Sequence, residues 1–146
     1  MPSMRMKVVN GQAFAKRMEK RSEKIQRNVI RAVRIAATET RNVAIKSILS
    51  NPRGGGSVTR YNPLRTVSIS AEGAAPASDT GFLASNIFLI FKDQGMSAAV
   101  ESRADYSAPL EFGTLRMRAR PFLQPALEQG RKKYERLFAK AVKDAI

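Results

Sequence analysis

Residues 11–50, GQAFAKRMEKRSEKIQRNVIRAVRIAATETRNVAIKSILS, hold the longest uninterrupted periodicity in the chain. Apolar side chains recur at Phe14, Met18, Ile25, Val29, Val33, Ala36, Val43 and Ile48. The steps are mostly three, four or seven, the spacing of one helical face. Asn10 is a fair N-cap in front of the run. Asn51–Pro52 is the first signal strong enough to stop it. A helix of about 40 residues is a rod of roughly 60 Å, longer than a small domain needs. Either it breaks near Thr38–Thr40, or it projects and packs on a neighbouring subunit. Lys20, Arg21, Lys24, Arg27, Arg31 and Arg34 make its other faces basic.

Beyond it, residues 51–63 (NPRGGGSVTRYNP) read as a flexible loop by composition. Their three glycines lack the Gly-Lys-Ser/Thr of a phosphate-binding loop. Residues 64–70 alternate as a short strand, and the Ala-, Gly- and Pro-rich 71–80 reads as a second flexible loop. Residues 85–92 (SNIFLIFK) form an apolar strand with both faces expected to be covered. Asp93–Gln94–Gly95 turns the chain, and 97–102 returns as the second arm of a hairpin. Residues 106–112 suit one helical turn ended by Gly113 in the left-handed region. Pro125 belongs in the first turn of a last helix, whose stripe is Leu127, Tyr134, Phe138, Ala141 and Ala145, with Gly130 costing ~1 kcal/mol relative to Ala. The expected architecture is α+β: one domain over residues 1–146, with a long N-terminal helix and a C-terminal helix packed on a small antiparallel sheet.

Composition excludes more than it proposes. A chain of 146 residues, 43% hydrophobic, has material for a core. There is no Cys and no His, which removes disulfides, the common zinc sites and serine–histidine triads. The acids open to general acid–base work are Asp79, Glu101, Asp105 and Glu111, a weak constellation without His or a metal ligand set, so no enzyme activity and no cofactor are expected. The first residues lack the apolar run of a secretory signal, and no apolar stretch is long enough for a bilayer; the expectation is a soluble chain with no membrane partner. Net charge is +14. Residues 1–66 carry 15 Lys/Arg against 3 acids, 67–115 carry 2 against 6, and 116–146 carry 9 against 3. Two basic segments flanking an acidic middle favour a polyanion or an acidic protein surface as partner.

A set of short motifs narrows this. Asp79-Thr80-Gly81-Phe82-Leu83 precedes the hairpin. Tyr106-Ser107-Ala108 and Glu111-Phe112-Gly113-Thr114 follow it, and Ala119-Arg120-Pro121-Phe122-Leu123 with Pro125-Ala126-Leu127 opens the last helix. Together and in this order they resemble the gene-10-like neck proteins of long-tailed bacteriophages, also called head–tail connector or tail-completion proteins. Asn86 stands where that pattern favours Ser, and the glycine-rich 54–61 region lies where it varies. The resemblance implies a structural virion protein at the head–tail junction, made in the bacterial host cytoplasm, without enzyme activity. It implies a homo-oligomeric ring, hexameric or larger, with the portal-side connector on one side and tail-tube or tail-terminator proteins on the other. DNA would pass through the channel, with non-specific contact to the genome.

A ring requires heterologous contacts between two different patches. Glu111 and Arg120 are candidate partners for a salt bridge, within a subunit or across that joint. Arg116 and Arg118 alternate with Leu115, Met117 and Ala119 along an extended arm, basic on one side and mostly apolar on the other. Phe112, Phe122, Leu123 and Leu127 are expected in the core, and Pro121 and Pro125 fix the chain direction. Two alternatives stand beside the neck reading: a tail-terminator at the adjacent ring, and a basic nucleic-acid-binding protein. The second lacks the aromatic–basic pattern of an RNA-recognition module, any zinc-finger spacing and an evident helix-turn-helix. For the long basic helix, acidic surfaces on neighbouring proteins are the preferred partner, because a strongly positive bore would hold DNA back.

Overall fold

The computed structural model describes residues 11–50 and 52–145. The first helix, α1, is Gly11–Leu49, 39 residues without a break at Thr38–Thr40. The expected cap at Asn10 lies outside the described residues. Two hairpins follow. In the first, β1 (Gly54–Tyr61) pairs antiparallel with β2 (Leu64–Ser70). After a short helix α2 (Phe82–Ser85), the second pairs β3 (Ile87–Lys92) with β4 (Ser97–Ser102) from Ile87↔Ser102 to Lys92↔Ser97. The last elements are α3 (Ser107–Phe112) and α4 (Leu123–Lys143).

The α+β class is as the sequence implies, with two corrections to its sheet. The described residues form two separate two-stranded sheets, not one. The expected loop at 51–63 contains β1: Ser57 to Tyr61 pair residue by residue with Ser68 to Leu64, and the glycines form an irregularity between Gly54 and Ser57. The β-branched and aromatic side chains of Val58, Thr59 and Tyr61 suit a strand, and the glycine run beside them hides that signal. Residues 71–80 carry no helix or strand, as expected, but are tied down by Gly73 N–H donating to the Ala119 carbonyl at 3.0 Å.

Helix α4 lies antiparallel along the C-terminal half of α1. Asn28 Nδ2 donates to the Ala141 carbonyl (3.1 Å), Lys133 Nζ to Glu39 (2.7 Å), and Thr40 Oγ1 to the Tyr134 hydroxyl (3.1 Å). Alanines at 32, 37 and 44 are buried on α1, so the helices can approach closely. The core sits where the far ends of this pair meet α2 and β3. It joins Ala44, Ile48, Leu83, Ala84, Ile87, Ala104, Phe122 and Ala126. Arg41 Nε ties α1 to the same place by donating to the Ile87 carbonyl at 2.8 Å.

Strand β3 is not covered on both faces. Among the described residues β4 is its only strand partner, and Phe88 and Phe91 stay exposed. Guanidinium groups screen their rings instead: Arg103 lies 4.5 Å from the Phe88 centroid and Arg34 5.9 Å from that of Phe91. Nor is Leu127 part of the buried face of α4, which holds Ala126 and Tyr134.

Candidate assembly interface

Most of the motif residues fall within residues 106–127, and their crowding there has a local cause. A helix start leaves its first N–H groups without intrahelical partners. In α4 those of Phe122, Leu123 and Gln124 all donate to the Glu111 carboxylate, at 2.9, 3.1 and 2.8 Å. The next residue is Pro125, which has no N–H to satisfy. One buried carboxylate and one proline therefore account for the whole helix start, and the negative charge sits at the positive end of the helix dipole. Glu111 is thus not the salt-bridge partner of Arg120. The main-chain amides use both of its oxygens, and Arg120 reaches this region through its backbone, N–H to the Leu110 carbonyl at 2.7 Å.

Between these anchors the chain forms a tight turn and not the expected extended arm. Thr114 and Met117 make an antiparallel bridge, and Thr114 Oγ1 also accepts from the N–H groups of Arg116 (3.3 Å) and Met117 (3.1 Å). Leu115 stands at the tip, fully exposed. Gly113 ends α3 with the positive φ expected of it, 78°, its N–H donating to the Pro109 carbonyl at 2.9 Å, but its ψ of 178° differs from that of a left-handed helical cap. A Cβ there would lie 2.9 Å from both Ala119 N and Met117 O, so the returning backbone requires glycine. Arg118 pairs with Glu72 at 3.3 Å. Of the four residues expected in the core, Phe122 is 1% exposed and Leu123 partly buried. Phe112 is 79% and Leu127 55% exposed, because α3 turns its last side chain outward and α4 buries Ala126 in preference to Leu127. Phe112 and Leu115 thus project from one short arm that is pinned at both ends.

The Asp79 motif anchors a second feature, the β1–β2 hairpin. Arg60 and Arg65 are directly cross-strand neighbours, a like-charge pairing that needs an anion. Asp79 supplies it: Arg65 Nε and Nη2 donate to its two oxygens at 3.0 Å each, and Arg60 Nε lies 3.8 Å away. The Arg65 hydrogen bonds hold the Asp79 carboxyl below its ordinary range, opposed by partial burial. Gly81 then starts α2 at φ 78°, Thr80 Oγ1 faces the Phe82 N–H at 3.4 Å, and Leu83 enters the core. Asn86, the departure from the resembled pattern, ends α2 by donating Nδ2 to the Phe82 carbonyl at 2.8 Å. Tyr106 packs near Phe82, ring centroids 6.2 Å apart; burial, then the Asp79 charge, raises its phenol above the ordinary value.

With this geometry in place, comparison by family is informative. A family model described as "HK97-gp10_like: Bacteriophage HK97-gp10, putative tail-component" matches residues 12–113. The chain belongs to this HK97-gp10-like family of bacteriophage tail components. No curated protein and no solved structure matches it. The family match takes in Asp79 to Leu83, Tyr106 and Glu111 to Gly113, and stops before the arm tip and α4. Glu111 therefore lies inside the matched region, while the amides it caps lie outside.

The HK97-gp10-like chain also presents the expected basic face. Lys20, Arg21, Lys24, Arg27, Arg31 and Arg34 are all exposed. Five of them, at 20, 24, 27, 31 and 34, recur by steps of four and three along one stripe. Arg27 has a weak partner in Glu23 at 3.7 Å. No described helix is long and apolar enough to cross a membrane, and no group of three or more acidic, His or Cys side chains among the described residues is placed to hold a metal ion. Sequence reasoning missed Arg60 and Arg65 as partners of Asp79, and Glu72 and Gly73 as moorings of the arm. The signal for the first pair was a strand inside the 54–61 region, which would have set the two arginines opposite each other.

Proposed function

We propose that this HK97-gp10-like chain is a structural subunit of the phage neck or tail, working by docking and not by catalysis. In this reading, copies of the chain form a ring that joins the head connector to the tail and lets DNA pass. The observation that carries it is the pinned arm, which holds the fully exposed Leu115 and the largely exposed Phe112 on a fixed support. Large apolar side chains held rigidly outward are what a heterologous subunit contact uses, because little conformational entropy is lost on docking. The exposed β1–β2 hairpin, with Tyr61 and Leu64 uncovered at its tip, is a second surface of the same kind. A two-stranded hairpin is marginal on its own and gains from cover in an assembly.

Leu115→Asp tests this. A fully exposed side chain contributes little to folding, so the thermal midpoint should move by no more than ~2 °C. Particle formation in a complementation assay should nevertheless fall by at least about tenfold, the effect of losing one buried apolar anchor at a contact. Unchanged particle yield would remove the arm from the interface.

A further inference from the structure

The HK97-gp10-like chain has a cleft of about 690 Å³ between the β1–β2 hairpin and the Asp79–Leu83 segment, and its charges do not balance. Arg60, Arg65 and Arg120 line it together with one acid, Asp79. Arg65 is committed to Asp79 through two of its three guanidinium nitrogens, Nε and Nη2. Arg60 reaches Asp79 only at 3.8 Å. Arg120 makes no ion pair among the described residues, and its Nε is buried without a hydrogen-bond partner. The hydroxyl of Ser70, a residue 1% exposed that lines the same cleft, is likewise without one. Buried donors are nearly always paired, so two unpaired groups beside one surplus-positive cleft are a specific observation.

We infer that this cleft receives an acidic peptide segment from a neighbouring protein, whose carboxylate is held by Arg120 and Arg60 and one of whose oxygens accepts from Ser70. The unpaired Nε is a donor, and the hydroxyl can donate, so both call for an acceptor. A guanidinium binds a carboxylate in a matched planar geometry. The walls favour a peptide over a nucleic acid. They include Val58, Leu83 and Leu110, apolar surface that suits peptide side chains and is costly to set against a run of phosphates. The volume lies within the range of pockets that enclose small ligands or short segments, roughly 300–1,000 Å³, and a duplex cannot enter. The inference names a partner class for the assembly reading above, but its test needs no particle.

The probe is a capped oligoglutamate peptide titrated into the purified chain at ~100 mM salt, where diffuse attraction is largely screened. Arg120→Gln and Lys132→Gln, the second at an exposed residue of α4 away from the cleft, change the charge equally. Saturable binding weakened at least about tenfold by Arg120→Gln and less than about twofold by Lys132→Gln is the expected result, since only the first removes a charge-assisted hydrogen bond. Ser70→Ala should leave the thermal midpoint of the free chain unchanged or higher, because the hydroxyl it removes is unpaired, and should still weaken the peptide. If Arg120→Gln does not fold, Ser70→Ala and Arg60→Gln carry the same comparison. Equal losses from the two Gln variants, no saturable binding, a short single-stranded DNA that binds more tightly than the peptide, or a Ser70→Ala chain that is less stable would each overturn the inference. None of these outcomes bears on whether Leu115 is needed for assembly.

Discussion

Glu111 connects a matched family motif to a helix that lies outside the match. Its carboxylate accepts from three consecutive amides at the start of α4, and Phe122, one of those three residues, is among the most deeply buried side chains of the core. Replacing it by Ala leaves buried N–H groups unpaired and removes the charge at the helix dipole. The expected cost is about 2–4 kcal/mol, read from the shift of the urea midpoint. Glu111→Gln keeps one acceptor oxygen and the side-chain shape, and should cost about 1–2 kcal/mol. If both variants unfold at the wild-type midpoint, solvent satisfies those amides and the cap is incidental. Charge alone points Glu111 at Arg120, nine residues away in sequence. Its actual partners carry no charge, which is why a count of acids and bases does not find them.

At the scale of elements, the α1–α4 pair depends on a glycine that helix propensity disfavours. A Cβ at Gly130 would lie 2.1 Å from the Tyr134 ring, which folds back over its own helix to reach Thr40. Gly→Ala in a helix ordinarily gains ~1 kcal/mol. Here it should instead destabilise by about 1–3 kcal/mol, the usual cost of overpacking a filled site, because Tyr134 is 6% exposed and has nowhere to move. Differential scanning calorimetry of Gly130→Ala checks the sign; a raised midpoint would mean that the ring swings out at no cost. The long helices and the β3–β4 hairpin were legible in the sequence because their periods run for many residues. Phe122 was legible as core too, while Leu83 entered it from a motif read only for its resemblance. Strand β1 was not legible, since three glycines outweigh a five-residue alternation. Nor were the exposed positions of Phe112 and Leu127, because outward-facing apolar residues in short elements look like core until their neighbours are known.

For the whole molecule, the leading question is what the charge of +14 meets. The last contact between α1 and α4 described above is at Asn28, so the 17 residues from Gly11 to Arg27 extend about 25 Å along α1 beyond it. Lys20, Arg21 and Lys24 lie on that part, exposed, with no ion pair among the described residues. A projecting basic rod could meet genomic DNA or an acidic protein surface. A conduit for DNA works against itself if its wall binds phosphate strongly, because every neutralised phosphate adds affinity. We therefore expect the rod to meet acidic neighbours. Reversing all three residues to Glu changes the charge by six, from +14 to +8. Because these side chains are exposed, the thermal midpoint should stay within ~2 °C. At a complementary surface, the same change should lower particle yield at least about tenfold by like-charge repulsion, and the particles that do form should release DNA normally. Counting particles and DNA release in the same preparations separates the two surfaces, since full yield with impaired release would assign the rod to the genome.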